Sequence, residues 1–259
     1  MKNKKWVTNA ILLVLILVFI GCGLYLFRYF WNARQAENEL GELQQIKSES
    51  MNEDISELQT TEGYTIMKQY RKLYQKNKDL IGWVTVKNTK IDYPVMQTKN
   101  NSEYYLHRNY KKKEDVNGLP FLDAKCDVED PNSNLMVYGH HMKSGLMFAH
   151  LEDFEDKSFY EKHKEIQFDT LYEKRKYEVV AVFRSKIYKE DENVFKYYRY
   201  GGPLSEKQYN TYIKNCLKMS VHKTGVTPQY GEQLLTLVTC AYHTEEGRFV
   251  VVARRKEEG

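Results

Sequence analysis

The pattern of hydrophobic and polar positions divides the chain into three parts. An uncharged, strongly apolar run extends from Trp6 to Phe27, and a polar segment without proline follows it at residues 30–63. From residue 64 onward the pattern changes to short alternating strands with a few helical stretches. The sequence therefore predicts a membrane-spanning helix at 6–29, a partly helical stalk with little core of its own at 30–63, and a folded domain at 64–259.

The folded domain is predicted to contain about seven strands and few helices. Residues 64–78 place four apolar side chains on one helical face: Ile66, Tyr70, Leu73 and Tyr74. Residues 205–219 predict a second helix, because Ser205 and Gln208 have the spacing of a capping box. A shorter helix is predicted through Phe148 and Leu151. Strands are predicted within residues 80–97 (two strands), 119–126, 135–138, 176–188, 233–240 and 248–254. This composition predicts a mainly antiparallel β-barrel or sandwich with peripheral helices.

The apolar run is long enough to cross a membrane. Ala10 to Phe27 would span roughly 27 Å as a helix, close to the thickness of the hydrocarbon core. Lysines precede the run and acidic residues follow it, which predicts a cytoplasmic N-terminus at 1–5 and an extracellular remainder. The length of the run and the lack of a small-x-small site favour an uncleaved signal anchor over a cleavable signal peptide. A lipoprotein signal ending at Cys22 is the third interpretation, which Phe19 fits poorly.

Charge and cysteine content narrow the function classes. The net charge is +4, but residues 1–30 hold four basic and no acidic side chains, so the remainder carries 35 of each sign. A balanced domain argues against a nucleic-acid-binding surface, which would show a basic excess. Of the four cysteines, Cys22 lies in the apolar run and Cys126, Cys216 and Cys240 follow it. An odd number of cysteines outside the membrane requires a free thiol or a bond to another chain.

Cys240 is the thiol whose position best fits catalysis. A cysteine nucleophile needs a nearby base or cation to form its thiolate, and donors for the oxyanion that develops on the attacked carbonyl. Arg248 starts the strand after Cys240, so a hairpin would bring both side chains to one end of the sheet. His140 and His141 follow strand 135–138 and a glycine, which makes each a candidate base. The alternative is that Cys240 only ends a core strand, Arg248 only forms a salt bridge, and the histidines are structural. No Cys-x-x-Cys or His-x-x-x-His spacing indicates a zinc site. Cys216 lies near Ile213 and Leu217 in the helix at 205–219 and is expected to face the core.

Three motifs in order resemble those of the sortase family, and most closely those of class B. VYGHHM at 137–142 resembles the family's Gly-His turn, and TLVTC at 236–240 resembles its Thr-Leu-x-Thr-Cys signature. GRFVVVARR at 247–255 resembles the strand that follows, and the segments at 81–97 and 118–123 also look like class B. The resemblance covers roughly three quarters of the chain.

The resemblance implies a fold and an activity. The fold would be a closed sortase-type β-barrel of about 7–8 strands with peripheral helices. The activity would be that of a membrane-anchored cysteine transpeptidase of a Gram-positive surface, with Cys240 as nucleophile and His140 as general acid and base. Arg248 would stabilise the oxyanion and the substrate, and Tyr198 is expected to line the substrate groove, with packing on its own loop as the alternative. Cys126 and Cys216 have no part in these motifs and are expected to be free structural thiols.

The implied partners are secreted proteins with a C-terminal sorting signal, cleaved at a Thr-Gly or Thr-Asn type bond, and an amine of a peptidoglycan precursor. The membrane is the third partner, through the N-terminal helix, and neither a metal nor an organic cofactor is implied. Two other functions stay open: an exported cysteine peptidase that only hydrolyses, and a catalytically inactive binding module on the same fold.

Overall fold

The structure, a computed structural model, describes residues 2–53, 56–59 and 63–256. The first residue of the predicted cytoplasmic segment, five positions of the predicted stalk (54, 55 and 60–62) and the last three residues of the predicted domain lie outside the described residues. The chain separates into two compact units, Met1–Glu39 and Leu40–Gly259. The second unit therefore begins earlier in the chain than the predicted boundary at residue 64.

The first unit consists of helix α1 (Lys2–Glu49) up to residue 39. Its segment from Trp6 onward contains a stretch that is apolar and long enough to cross a membrane, and none of that stretch is buried inside the chain. Large apolar side chains exposed along a helix are unfavourable in water and suit a lipid environment. Membrane insertion at 6–29 is thus consistent with length and composition and stays a prediction.

The end of α1 belongs to the second unit and packs on it. Leu40 and Leu43 are buried, and the Gln44 side-chain amide donates to the backbone carbonyl of Asp92 at 2.9 Å. The Lys47 ammonium lies 2.8 Å from an Asp92 carboxylate oxygen and 4.1 Å from the centre of the Trp83 ring. The final turns of α1, which lie within the predicted stalk, therefore share the core of the folded unit instead of standing apart from it.

Within the part of the second unit that the structure describes, nine strands form the sheet. They are β1 (Leu80–Thr85), β2 (Asp92–Met96), β3 (Phe121–Leu122), β4 (Ser133–Tyr138), β5 (Glu165–Thr170), β6 (Lys176–Lys186), β7 (Gly202–Pro203), β8 (Leu234–Cys240) and β9 (Gly247–Arg255). The order is β3-β2-β1-β5-β6-β9-β8-β4-β7, and β3 also pairs with β4, which closes eight strands into a barrel and leaves β7 as a short appended strand. Pairing is antiparallel except for β2 with β3 and β4 with β8. The expected closed barrel is confirmed, and the open sandwich is excluded.

Helices cover part of the outer face of the barrel. Helix α2 (Lys68–Lys76) buries three of the four side chains predicted for its face, while α3 (Lys157–Lys162) is a short additional helix. Helix α4 (Glu206–Met219) begins after Ser205, whose backbone N–H donates to Gln208 Oε1 at 3.1 Å as the capping-box spacing predicts. Cys216 on this helix is fully buried, as expected, and burial raises the pKa of its thiol.

Three local predictions differ from the structure. Helix α2, predicted from residue 64, starts at Lys68, because the backbone before it is hydrogen-bonded elsewhere. The Ile66 N–H donates to the Leu58 carbonyl at 2.8 Å and the Met67 N–H to the Leu171 carbonyl at 2.7 Å. The strand predicted at 119–126 has only two paired residues, and the helix predicted through Phe148 is a 3₁₀ helix (Phe148–Glu155). Strand β5 and helix α3 were not predicted.

Candidate active site

Cys240 and Arg248 lie directly opposite each other at one end of the barrel. Cys240 is the last residue of β8, Arg248 is the second residue of β9, and the two are Cα partners in the antiparallel register. Directly opposed residues of an antiparallel pair project to the same face, so both side chains share a surface. The loop between them requires a glycine, because a Cβ at Gly247 would lie 2.1 Å from the Ala241 carbonyl oxygen.

His140 reaches the same end of the barrel through a parallel strand pair. Strand β4 runs parallel to β8 with Tyr138 beside Val238, and the Gly139 N–H donates to the Val238 carbonyl at 3.0 Å. His140 follows Tyr138 by two residues, just as Cys240 follows Val238 by two. Parallel pairing therefore places His140, which is 100 positions before Cys240 in the sequence, next to the end of β8.

The His140 ring is held by a backbone carbonyl. Its Nε2 lies 2.7 Å from the carbonyl oxygen of Leu106, and the ring stacks on His107 with centroids 5.5 Å apart. A carbonyl oxygen only accepts, so Nε2 carries the hydrogen and Nδ1 is the nitrogen that keeps a lone pair in the neutral ring. Burial lowers the pKa of His140; the Leu106 carbonyl opposes that shift and the neighbouring His107 adds to it.

A groove of about 480 Å³ joins these residues. Cys240, His140, Arg248 and Tyr198 all line it, although they come from four separate parts of the chain. Phe121 and Tyr138, whose rings stack with centroids 5.6 Å apart, form part of its apolar lining. A concave apolar groove with a few converging polar side chains is the usual form of a binding site.

The family comparison agrees with the motifs. A family model described as the sortase domain matches residues 84–256, which include the whole groove-forming set from His140 to Arg248. The chain belongs to the sortase family. A curated relative, sortase B from Staphylococcus aureus, is 28% identical over 98% of this chain and 98% of its own length. Sortase B from Listeria monocytogenes is also 28% identical, over 97% of both chains.

Solved structures give the same assignment to class B. A crystal structure of sortase B from Bacillus anthracis superposes with a TM-score of 0.72 and 32% identity, covering 88% of this chain and all of that one. A Staphylococcus aureus sortase B–substrate complex superposes with a TM-score of 0.73 and 28% identity over the same 88% of this chain.

The two adjacent histidines of this sortase have different surroundings. His140 lines the groove, whereas His141 is not among the lining residues. The His141 Nδ1 lies 3.2 Å from the backbone carbonyl of Cys240 and 3.8 Å from a Glu152 carboxylate oxygen, and its ring packs edge-on against Tyr242. His141 therefore contacts the backbone at the end of β8 and Tyr242 in the loop that follows, and of the two histidines His140 is the one that lines the groove.

The remaining expected residues carry contacts that the sequence did not indicate. Tyr198 lines the groove and also bonds its own loop, with its hydroxyl 3.1 Å from both the N–H and the carbonyl of Tyr188. Arg248 donates to the Gly247 carbonyl at 2.9 Å and forms a 3.1 Å ion pair with Glu246. The Leu106 carbonyl is a backbone group, for which no sequence signal exists. Glu246 is two residues before the arginine, and that spacing was the one available clue.

Cysteines and potential metal ligands complete the site's description. Over the described ranges, all four cysteines are free, and no group of three or more His, Cys, Asp or Glu side chains is arranged to hold a metal ion. Burial raises the pKa of Cys126 to about 12, so this thiol stays protonated at neutral pH. Cys240 is partly exposed and lies in the groove, whereas Cys126 and Cys216 are buried. Among the cysteines of the folded unit, Cys240 is thus the accessible one.

Proposed function

We propose that this sortase is a membrane-anchored transpeptidase that joins secreted proteins to a cell-wall precursor. Its substrates carry a C-terminal sorting signal with a Thr-Gly or Thr-Asn type bond, and its second substrate is a peptidoglycan precursor amine. The single observation that carries the proposal is the convergence of Cys240, His140 and Arg248 in one groove. A solved Staphylococcus aureus sortase B–substrate complex is among the structures similar to this chain, which supports the proposal that this chain also binds a substrate.

In the first half-reaction, the Cys240 sulfur attacks the carbonyl carbon of the scissile bond as a thiolate. The Arg248 guanidinium donates to the oxygen that becomes negative, because it stays charged at any working pH and presents its donors in a planar fork. The tetrahedral intermediate collapses with cleavage of the C–N bond. His140 gives its proton to the departing amine, and a thioester to Cys240 remains.

In the second half-reaction, the amine of the wall precursor attacks the thioester carbonyl. His140 takes a proton from this amine, and collapse of the second tetrahedral intermediate releases the Cys240 thiolate and leaves a new amide bond. The free imidazole nitrogen, Nδ1, is the atom suited to this exchange, since Nε2 is occupied by the Leu106 carbonyl.

Burial of His140 affects how much of the free enzyme carries the proton that the first half-reaction needs. A lowered pKa means that the imidazolium form is a minority in the free enzyme at neutral pH. Only this minority form can donate a proton to the departing amine.

The predicted membrane helix at 6–29 determines where in the cell the reaction takes place. With the N-terminus in the cytoplasm, the anchor holds the catalytic domain on the outer surface of the membrane, where exported proteins and lipid-linked precursors meet. This orientation follows from the lysines before the apolar run and the acidic residues after it.

The test uses the full-length chain in detergent micelles with a panel of quenched peptides that carry different sorting motifs. Each peptide is incubated with and without an oligoglycine or diaminopimelate-like amine, and products are identified by mass. Cleavage and an amine-linked product are expected for the wild type and for Cys22→Ala, and neither for Cys240→Ala. Hydrolysis with no amine-linked product would identify a peptidase, and peptide binding with no cleavage would identify an inactive binding module.

A further inference from the structure

Besides the Thr239 hydroxyl next to Cys240, two buried hydroxyl groups near Arg248 lack a hydrogen-bond partner within the described residues. They belong to Ser185 on β6, which is 5% exposed, and to Tyr197, which is 0% exposed. Burying an unpaired hydroxyl is unfavourable, and such groups are uncommon in folded proteins unless a ligand or a conformational change supplies the partner. Both hydroxyls therefore require an explanation at this site.

Strand register places Ser185 beside the arginine. Arg248 is the Cα partner of Cys240 on β8 and also the Cα partner of Ser185 on β6. The three residues thus form one line across three adjacent strands, with their side chains on the same face. Ser185 is the residue of that line on the far side of Arg248 from the nucleophile.

Tyr197 covers the same face from the 3₁₀ helix at 197–200. Its ring packs edge-on against Phe183 with centroids 6.2 Å apart, and Phe183 precedes Ser185 by two residues on the same side of β6. Burial raises the pKa of the Tyr197 hydroxyl, while the positive charge of Arg248 lowers it. The hydroxyl therefore lies within the electrostatic reach of the guanidinium.

In the free chain, the Arg248 guanidinium is bound to its own loop. Its two hydrogen bonds go to the Gly247 carbonyl at 2.9 Å and to the Glu246 carboxylate at 3.1 Å. A guanidinium has five N–H groups, so several donors stay available. The Glu246 side chain is 62% exposed, and exposed ion pairs are weak enough to exchange for other partners.

We propose that Ser185 and Tyr197 are positioning residues whose hydroxyl oxygens accept hydrogen bonds from the Arg248 guanidinium during the reaction. Glu246 holds this guanidinium in the free enzyme. As negative charge develops on the oxygen of the attacked carbonyl, the guanidinium leaves the carboxylate and is fixed by the two hydroxyls, with its remaining donors directed at the oxyanion. The inference rests on the role of Arg248 in the proposed function and identifies what orients that side chain.

The first arm of the test measures melting temperature with the full-length chain in detergent. Ser185→Ala and Tyr197→Phe each remove one hydroxyl oxygen. Removing a hydroxyl that has no hydrogen-bond partner in the free enzyme does not lower the stability of the fold. Unchanged or higher melting temperatures are expected, as for Ser50→Ala, a control at another buried hydroxyl without a partner in the described structure. Tyr212→Phe, which removes a hydroxyl 2.8 Å from Thr236 Oγ1, should lower the melting temperature. Lower values for both Ser185→Ala and Tyr197→Phe would overturn the proposal.

The second arm measures peptide cleavage. Ser185→Ala and Tyr197→Phe should each lower kcat about tenfold with KM nearly unchanged, since they affect the transition state alone. The residual activity of Arg248→Ala should fall no further when either change is added, because all three act as one unit. Glu246→Gln should raise kcat/KM about twofold to threefold, whereas Glu245→Gln on the same loop should not.

The outcomes separate this inference from the proposed function. Wild-type kcat in Ser185→Ala and Tyr197→Phe, or an equal loss in the Arg248→Ala background, would refute the positioning role and leave the transpeptidase intact. An inactive wild type would refute the proposed function, and the melting comparison would still decide whether the two hydroxyls are unpaired in the free enzyme.

Discussion

Gly139 precedes His140, and its missing side chain makes room for a buried ring. A Cβ at this position would lie 2.7 and 2.8 Å from two ring carbons of Phe148. Carbon atoms in van der Waals contact are about 3.5–4.0 Å apart, so the ring or the backbone would have to move by about 1 Å. Phe148 is 0% exposed, and its N–H donates to the His140 carbonyl at 2.9 Å, so neither partner can move without displacing the other.

We therefore expect Gly139→Ala to destabilise the fold by about 2 kcal/mol, the usual cost of overpacking a core. The melting temperature should fall by about 4–8 °C for a domain of this size. Because the strain is next to His140, kcat/KM should fall further, by as much as about 100-fold for a 1 Å displacement of the ring. Differential scanning fluorimetry and quenched-peptide kinetics on the full-length chain measure the two effects.

Matched variants decide whether the ring contact is the cause. Gly201→Ala makes the same change where the new Cβ meets nothing closer than 3.6 Å, and it should leave both quantities near wild type. Adding Phe148→Leu to Gly139→Ala removes the crowded ring atoms and should restore part of the kcat/KM loss. Wild-type stability and kinetics in Gly139→Ala, or an equal effect in Gly201→Ala, would refute this reasoning.

Three further predictions concern stability. Arg175 is 2% exposed and bonds Glu129 at 2.9 Å and Gln233 at 3.0 Å. Arg175→Met should therefore lower the free energy of unfolding in urea by about 3–5 kcal/mol, whereas the change at the exposed Arg199, Arg199→Met, should lower it by less than about 1 kcal/mol. Similar losses in the two variants would contradict this prediction. Asp92→Ala should cost about 2 kcal/mol by thermal unfolding, because Lys47 and two other donors lose their acceptor, and an unchanged melting temperature would contradict that packing of α1. Burial lowers the pKa of His140, so the unfolded chain binds a proton at this residue more tightly than the folded chain does. The contribution of His140 to the free energy of unfolding should be fully present above about pH 6.5 and should be lost as the pH falls from there through the lowered pKa. In His140→Gln, the melting temperature should depend less on pH over this range.

The elements that the sequence predicted well are those determined by residues close together in the chain. The capping box at Ser205 and the apolar run ending at Cys240 gave helix α4 and strand β8 within a residue or two. Strand β5 carried an alternating signal in Ile166 and Phe168, but with only six residues it was missed. Strand β3 has two paired residues, which is too short for any periodicity to mark its ends.

Non-local pairing explains what the sequence could not supply. The pattern within β4 and β8 does not indicate that they run side by side and parallel, and this pairing is what brings His140 to Cys240. Motif resemblance compensated for that gap in choosing the residues. It could not indicate the Leu106 carbonyl behind His140, because that contact depends on how two distant loops meet.

The position of β8 and β9 between β6 and β4 has a consequence for when the enzyme can act. This hairpin is the last part of the barrel to be synthesised, and it fills the gap that separates two strands made earlier. Until it does so, the sheet is open between β4 and β6, and Cys240 belongs to a hairpin that is not yet paired with the β4 edge that leads to His140. In a partly synthesised or partly folded chain, Cys240 and His140 therefore do not line a common groove, and closure of the barrel is the step that brings the two residues together.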